Sequence, residues 1–174
     1  EKRFDCILFA DVLEHLIDPL EVLKKTRKFL KTDGSVIASI PNVQYLGLVS
    51  QLVEGNWTYQ DEGILDRTHL RFFTYHEIVK LFDEAGYIIS SVNETLDPQY
   101  RNVKNQTTTL NLGRLSIRDL SPDELKKFFV YQYKVTAKLK HVVCDEKLFY
   151  DTKENDMEDV FEKGKSLENG GAYE

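Results

Sequence analysis

Close to its start the sequence reads Phe4-Asp5-Cys6-Ile7-Leu8-Phe9-Ala10, which is followed at once by Asp11-Val12-Leu13-Glu14-His15. The first segment is a short, nearly continuous apolar run, typical of a strand buried on both faces of a parallel sheet. Natural proteins seldom begin on a central strand, so we expect the chain to be a piece of a longer domain. In a doubly wound sheet the ligand site lies beyond the carboxyl ends of the strands, where Asp11, Glu14 and His15 would stand.

Helices and strands alternate after this strand. Asp18, Pro19 and Glu21 predict the start of a helix that runs to about residue 30, and a second buried strand follows at 35–40. The apolar spacing in 43–53 indicates a short helix, and a long aromatic and polar loop at 56–73 follows it.

Capping boxes at 74–77 and 121–124 predict two more helices, the first closed by Gly86. A strand is expected at 87–92. The segment 130–139 alternates apolar and polar residues, which suggests an antiparallel or edge strand. Alternating strands and helices make an α/β domain with a mostly parallel sheet, and only about four strands are present. We divide the chain into a domain at 1–141, with an insertion or cap at 93–120, and an acidic, mobile tail at 142–174.

Composition limits the function classes. The chain has 174 residues, of which 41% are hydrophobic, and a net charge of −6. An acidic balance gives no electrostatic footprint for a phosphate backbone, so duplex nucleic acid is an unfavoured partner. Without a membrane-spanning run or a signal peptide in this sequence, a cytoplasmic location is expected. Cys6 and Cys144 are far apart and fit reduced thiols.

Several stretches together resemble the class I S-adenosylmethionine-dependent methyltransferases, and among them the branch associated with glycosyltransferases of polysaccharide biosynthesis. The resemblance covers about residues 4–140. It is carried by Phe4-Asp5 with Phe9-Ala10-Asp11-Val12-Leu13-Glu14-His15 and Asp18-Pro19, by Gly34-Ser35-Val36-Ile37-Ala38-Ser39-Ile40-Pro41-Asn42, by Asp66-Arg67-Thr68-His69-Leu70-Arg71-Phe72-Phe73-Thr74, by Ala85-Gly86-Tyr87, and by the stretch from Leu120 to Tyr133.

The resemblance implies a Rossmann-like sheet in the order 3-2-1-4-5-7-6, of which this chain would supply strands four to seven. The family's glycine-rich cofactor loop follows strand one, and no Gly-x-Gly spacing occurs here. Affinity for S-adenosylmethionine is therefore expected to be poor in this chain alone. The missing strands would leave an exposed sheet edge, which predicts association through that edge or a homo-oligomer.

The resemblance places Phe9, Ala10 and Asp11 beside the methionine part of the cofactor, although Asp11 also suits a turn cap. Some related O-methyltransferases carry Glu-x-x-Glu-His and a later histidine that together bind a divalent metal. Here Asp11, Glu14, His15 and His69 would form such a set for Mg²⁺ or another divalent ion, with Asp in place of the first Glu. The alternative is that Glu14 and His15 only fasten the loop. His69 is the best candidate for a general base, with Glu14 and His15 beside it.

Four loop residues are candidates for acceptor binding. Trp57 and Tyr59 suit an apolar wall against a ring, or equally an anchor for the loop. Arg67 and Arg71 suit an anionic acceptor, or ion pairs with neighbouring acidic residues.

The resulting hypothesis for the function is methyl transfer to a hydroxyl of a small molecule or glycan. The alternative is a non-catalytic interaction or scaffold remnant, since the cofactor loop is missing.

Overall fold

A computed structural model describes residues 3–103 and 108–140. The tail predicted at 142–174, together with His141 and Cys144, lies outside the described residues. The described elements are β1 (Phe4–Ala10), α1 (Pro19–Thr26), β2 (Leu30–Pro41), α2 (Leu46–Val53), α3 (Tyr75–Glu84), β3 (Tyr87–Leu96), α4 (Tyr100–Val103), β4 (Leu110–Leu112), β5 (Leu115–Ile117), α5 (Pro122–Lys127) and β6 (Val130–Leu139).

The main sheet has the strand order β1-β2-β6-β3. Strands β1 and β2 are parallel, while β6 runs antiparallel to both of its neighbours, β2 and β3. This confirms the α/β class and matches the order 4-5-7-6 that the resemblance implied. The prediction of a mostly parallel sheet is wrong for the described strands, because two of the three pairings in the main sheet are antiparallel. The alternation in β6 correctly indicated an antiparallel strand, but an edge position is wrong because strands pair with it on both sides.

Helices α1 and α3 cover one face of this sheet. Leu23 of α1 and Phe82 of α3 are fully buried in one cluster with Val36 of β2 and Val135 of β6. The opposite face is open within the described residues, and Leu8 of β1 is 64% exposed there. The prediction that the first strand is buried on both faces is therefore wrong for this structure, because both helices pack on the same side.

The three predicted helix starts are confirmed. The side chains of Asp18, Thr74 and Ser121 each accept a hydrogen bond from the backbone N–H three residues later, which satisfies one free donor in each first turn. Two boundaries differ from the prediction. Strand β2 begins at Leu30 instead of residue 35, and helix α1 ends at Thr26 instead of near residue 30, because Leu30 already pairs with Phe4.

The described parts of the segment 93–120, residues 93–103 and 108–120, contain more regular structure than their polar composition indicated. Strand β3 continues to Leu96, and β4 and β5 form an antiparallel hairpin. Leu110 and Leu112 of this hairpin pack with Leu125 and Phe129 in a second buried cluster. Its status as an insertion stays a prediction. Among residues 3–103 and 108–140, no helix has the length and apolar character needed to span a bilayer.

Candidate functional site

Asp11 stands at the carboxyl end of β1 in a strained conformation. Its φ is 52°, in the left-handed region that asparagine and aspartate tolerate better than other side chains. Its backbone N–H donates to the Ser39 hydroxyl at 3.0 Å, and its Oδ1 accepts from Nε2 of Gln132 at 2.6 Å. Two neighbouring strands, β2 and β6, therefore hold Asp11 in place.

Glu14 lies in a single turn of 3-10 helix that spans Leu13–His15. Its backbone carbonyl accepts from the N–H groups of Leu70 and Arg71, at 2.8 and 2.9 Å. These bonds fasten the turn to the loop that carries His69. The Glu14 side chain is only 1% exposed, and neither carboxylate oxygen has a hydrogen-bond partner. A buried acceptor without a partner is costly, so this carboxylate is poised for a proton, a donor or a cation.

His69 is buried beside this carboxylate. Its Nδ1 lies 2.9 Å from the backbone oxygen of Ile64. Because a carbonyl oxygen can only accept, Nδ1 carries the proton and the neutral ring has its lone pair on Nε2. That Nε2 lies 4.0 Å from Oε1 of Glu14. Two acceptor atoms therefore face each other across a gap that is too wide for a direct hydrogen bond.

His15 completes the group. Its Nδ1 lies 3.0 Å from the hydroxyl and 3.2 Å from the carbonyl oxygen of Thr68. The Thr68 hydroxyl donates to Asp66, so Nδ1 of His15 is the donor in these contacts. The rings of His15 and His69 meet edge to face with centroids 4.6 Å apart. One ligand atom each from Glu14, His15 and His69 lies within 4.8 Å of the other two.

The electrostatics of the site follow from burial. Desolvation raises the pKa of the Glu14 carboxyl above its usual value, and the charge of Asp11 adds to this rise. His69 and His15 oppose it. The hydroxyl and backbone N–H of Thr68 lower the pKa of Asp66, which keeps that carboxylate charged beside the histidine loop. The site therefore combines a carboxyl group whose ionisation is disfavoured, that of Glu14, with one whose ionisation is favoured, that of Asp66.

The structure brings ligand atoms of Glu14, His15 and His69 into one group, and the side chains of the other candidates are not part of it. Asp11 is outside the group of three, and Gln132 occupies its Oδ1. The side chain of Phe9 is buried in the main core, whereas Ala10 is exposed at the sheet edge.

The four loop candidates have contacts of their own. Trp57 is 41% exposed and packs edge to face on Phe72, and Tyr59 is 42% exposed. Arg67 pairs with Asp61 at 2.9 Å. Arg71 donates to two backbone carbonyl oxygens, those of Leu70 and Ile17. Both arginine side chains thus have partners within the protein.

Sequence reasoning missed two polar residues that organise this edge. Asn42 is fully buried, and its amide donates to the carbonyl oxygens of Lys127 and Val130, which joins the end of β2 to the start of β6. Gln132 holds Asp11. The only available signal was for Asn42, a polar residue directly after a buried strand.

The comparisons with known proteins decide the family. A family model described as a methyltransferase domain matches residues 1–92, more than half of the chain. The chain belongs to the methyltransferase domain family. Within this family it is 31% identical over 122 residues to a ubiquinone biosynthesis O-methyltransferase of Cereibacter sphaeroides. That match covers 69% of this chain and 45% of the relative, so the chain spans about half the length of the curated relatives it matches.

Solved methyltransferases also match at low identity. A SAM-dependent methyltransferase from Archaeoglobus fulgidus is 14% identical, with a TM-score of 0.46, over 79% of this chain and 60% of that one. The magnesium protoporphyrin IX methyltransferase from Synechocystis, solved with SAH bound, is 12% identical, with a TM-score of 0.46, over 80% of this chain and 47% of that one.

Proposed function

We propose that this chain takes part in methyl transfer from S-adenosylmethionine to a hydroxyl group of a small molecule or glycan. The observation that carries the proposal is the facing pair of Glu14 and His69 at the carboxyl edge of a sheet in a methyltransferase domain. When bound, S-adenosylmethionine supplies a methyl group on an electrophilic sulfonium. Ala10 and Asp11, exposed at the end of β1, would line the cofactor's side of this edge, and Phe9 would contribute only backbone.

His69 is the proposed general base. Methylation of a hydroxyl forms an O–C bond, breaks a C–S bond and releases the hydroxyl proton, which a nearby base must take. The hydrogen bond to Ile64 fixes the ring with the Nε2 lone pair free for that proton. The Glu14 carboxylate at 4.0 Å would stabilise the resulting imidazolium, the role that a carboxylate plays beside a catalytic histidine.

A divalent metal is the alternative at this group, because an ion bound to Nε2 of His69 would occupy the lone pair that a general base needs. Both buried oxygens of Glu14 are without a partner, and the donor pattern leaves Nε2 of each histidine free to coordinate. Glu14, His15 and His69 would hold the ion, and it would polarise the acceptor oxygen. A mixed imidazole and carboxylate set suits Mn²⁺ or Zn²⁺ better than Mg²⁺, which prefers oxygen ligands. Asp11 is not proposed as a direct ligand because its oxygens are not part of this group of ligand atoms.

Calorimetry with S-adenosylmethionine tests the proposal. We expect the protein encoded by the intact gene to bind the cofactor and to transfer its methyl group to a hydroxylated acceptor. The 174-residue chain should bind more weakly. If neither protein binds S-adenosylmethionine, the proposal is wrong.

A further inference from the structure

A second concave site lies beside Glu14, His15 and His69, which we call the catalytic group. It opens between α2, the loop around 60–65 and the start of β6. The residues that line it are uncharged: Tyr45, Gly47, Leu48, Gln51, Gln60, Gly63, Ile64, Leu65 and Tyr131. None of the four loop residues singled out from the sequence, Trp57, Tyr59, Arg67 and Arg71, lines it. We call this the tyrosine cavity.

Two tyrosine rings form a corner of this cavity. The rings of Tyr45 and Tyr131 are perpendicular, at 81°, with centroids 5.3 Å apart. The Tyr45 hydroxyl donates to Asp97 at 2.6 Å, which fixes its ring. Gly63 leaves room for the second ring, since a Cβ at this position would lie 3.3 Å from the Tyr131 hydroxyl. A rigid corner of two rings offers one face for stacking and a second for an edge contact.

The floor of the tyrosine cavity is apolar and its rim carries amides. Leu48, Ile64 and Leu65 are buried in one small cluster. Gln51 and Gln60 are exposed and provide both hydrogen-bond donors and acceptors without charge. An apolar floor, aromatic walls and a few polar groups are the features of a site for a small ring-bearing molecule.

The cavity is joined to the catalytic group through one residue. Ile64 lines the cavity, and its backbone oxygen accepts from Nδ1 of His69. On the other side, burial raises the pKa of the Tyr131 hydroxyl, and the charges of Glu62 and Asp11 raise it further, so that wall lies near two acidic residues. A molecule in the cavity would meet a negative environment, which disfavours an anion.

We propose that the tyrosine cavity binds the methyl acceptor, and that this acceptor is an uncharged ring bearing hydroxyl groups. The inference rests on the proposed function. It assigns Tyr45 and Tyr131 as walls, and Gln51 and Gln60 as the groups that orient the ring. It also replaces the hypothesis of an anionic acceptor, because Arg67 and Arg71 already have partners in the protein.

Amide NMR spectra of the 174-residue chain test the proposal without cofactor. Two uncharged probes, catechol and methyl glucoside, distinguish a phenolic from a sugar ring. Benzoate and glucose 6-phosphate are the charged counterparts. We expect the amide signals of Gly47 and Gly63 to shift saturably with at least one uncharged probe, and at least about fivefold more weakly with its charged counterpart.

Variants locate the binding. Tyr131→Ala and Gln60→Leu should each weaken binding of the uncharged probe about fivefold or more. Gln99→Leu, at an exposed glutamine outside the cavity, should not.

The proposal is overturned if neither uncharged probe binds, if the charged probes bind as tightly, or if Tyr131→Ala has no effect on binding. Methyl transfer is measured separately in the protein from the intact gene. Probe binding without any methyl transfer would remove the proposed function, and with it the acceptor role, and would leave only the binding of an uncharged ring in the cavity. Methyl transfer with an unchanged KM for the acceptor in Tyr131→Ala would remove the cavity assignment and leave the proposed function in place.

Discussion

Gln132, near the start of β6, donates a hydrogen bond of 2.6 Å to the carboxylate of Asp11 at the end of β1, 121 positions earlier in the sequence. Strand β2 lies between these two strands in the sheet. The bond therefore crosses over the end of β2, where Ser39 holds the backbone of Asp11. The conformation of the first residue of the site thus depends on the last described strand.

Replacing Gln132 with leucine should weaken binding of S-adenosylmethionine. The bond forms without the cofactor, so its contribution of about 1.5 kcal/mol sets an upper limit of about tenfold on the rise in Kd. Calorimetry on the protein from the intact gene measures the change. Gln99→Leu is the control, and equal Kd values for the two variants would show that Gln132 does not position Asp11 for the cofactor.

Local signals explain why much of the fold could be predicted. The side chains of Asp18, Thr74 and Ser121 accept hydrogen bonds from the backbone of their own helices. Four consecutive residues are therefore enough to predict each helix start. The chain order of Asp11, Glu14 and His15 after a strand similarly placed them at one edge. The family resemblance then supplied the order of the strands.

Contacts between distant segments explain what could not be predicted. An alternating strand has the same pattern at an edge or between two neighbours, so β6 was open to either position. The tyrosine cavity unites Tyr45 and Tyr131, which are distant in sequence and carry no motif. The polar tract after Asn93 hid the buried pair Leu110 and Leu112, because two leucines in a short hairpin give no sustained period.

Replacing Glu14 with methionine should stabilise the protein at neutral pH. Burial raises the pKa of Glu14 in the folded state, so folding binds a proton between the unfolded value of 4.5 and the higher folded value. The stability contributed by this group is therefore present at low pH and lost as the pH rises through the folded pKa. We expect the variant to gain about 1–3 kcal/mol in free energy of unfolding near pH 7, and less at about pH 4.

Urea denaturation at both pH values measures this difference. Glu84→Met, at an exposed position on α3, is the control and should show little dependence on pH. A variant that is less stable than the wild type near pH 7 would mean that the Glu14 carboxylate has a stabilising partner.

Replacing His69 with asparagine should slow methyl transfer. The variant keeps a polar side chain but loses the proposed base, and removal of a general base typically lowers the rate by about 10² to 10⁴. Single-turnover methyl transfer with saturating cofactor isolates this step. His76→Asn, at an exposed position of α3, should retain the wild-type rate. If His69→Asn also retains it, another group takes the proton.

A metal titration tests the group of Glu14, His15 and His69. We expect Mn²⁺ to bind once per chain, as measured by electron paramagnetic resonance of the free ion. Glu14→Gln and His15→Asn should each weaken binding about tenfold or more, because each removes one ligand. Asp61→Asn, which alters an exposed carboxylate outside the group, should not. Unaltered Mn²⁺ binding in the two ligand variants would place the ion elsewhere.

Replacing Leu8 with lysine should reduce self-association of the 174-residue chain. Within the described residues β1 pairs with β2 on one side only, and Leu8 is 64% exposed on the open face of the sheet. An exposed strand edge beside apolar side chains favours pairing with a second copy, and a lysine there opposes it. Sedimentation velocity over a range of concentrations should show a larger monomer fraction for the variant. Ile17→Lys is the matched control, since Ile17 is 78% exposed but lies outside the strands. If the two lysine variants show the same monomer fraction, association does not use the β1 edge. A wild-type chain that stays monomeric at every concentration would contradict self-association itself.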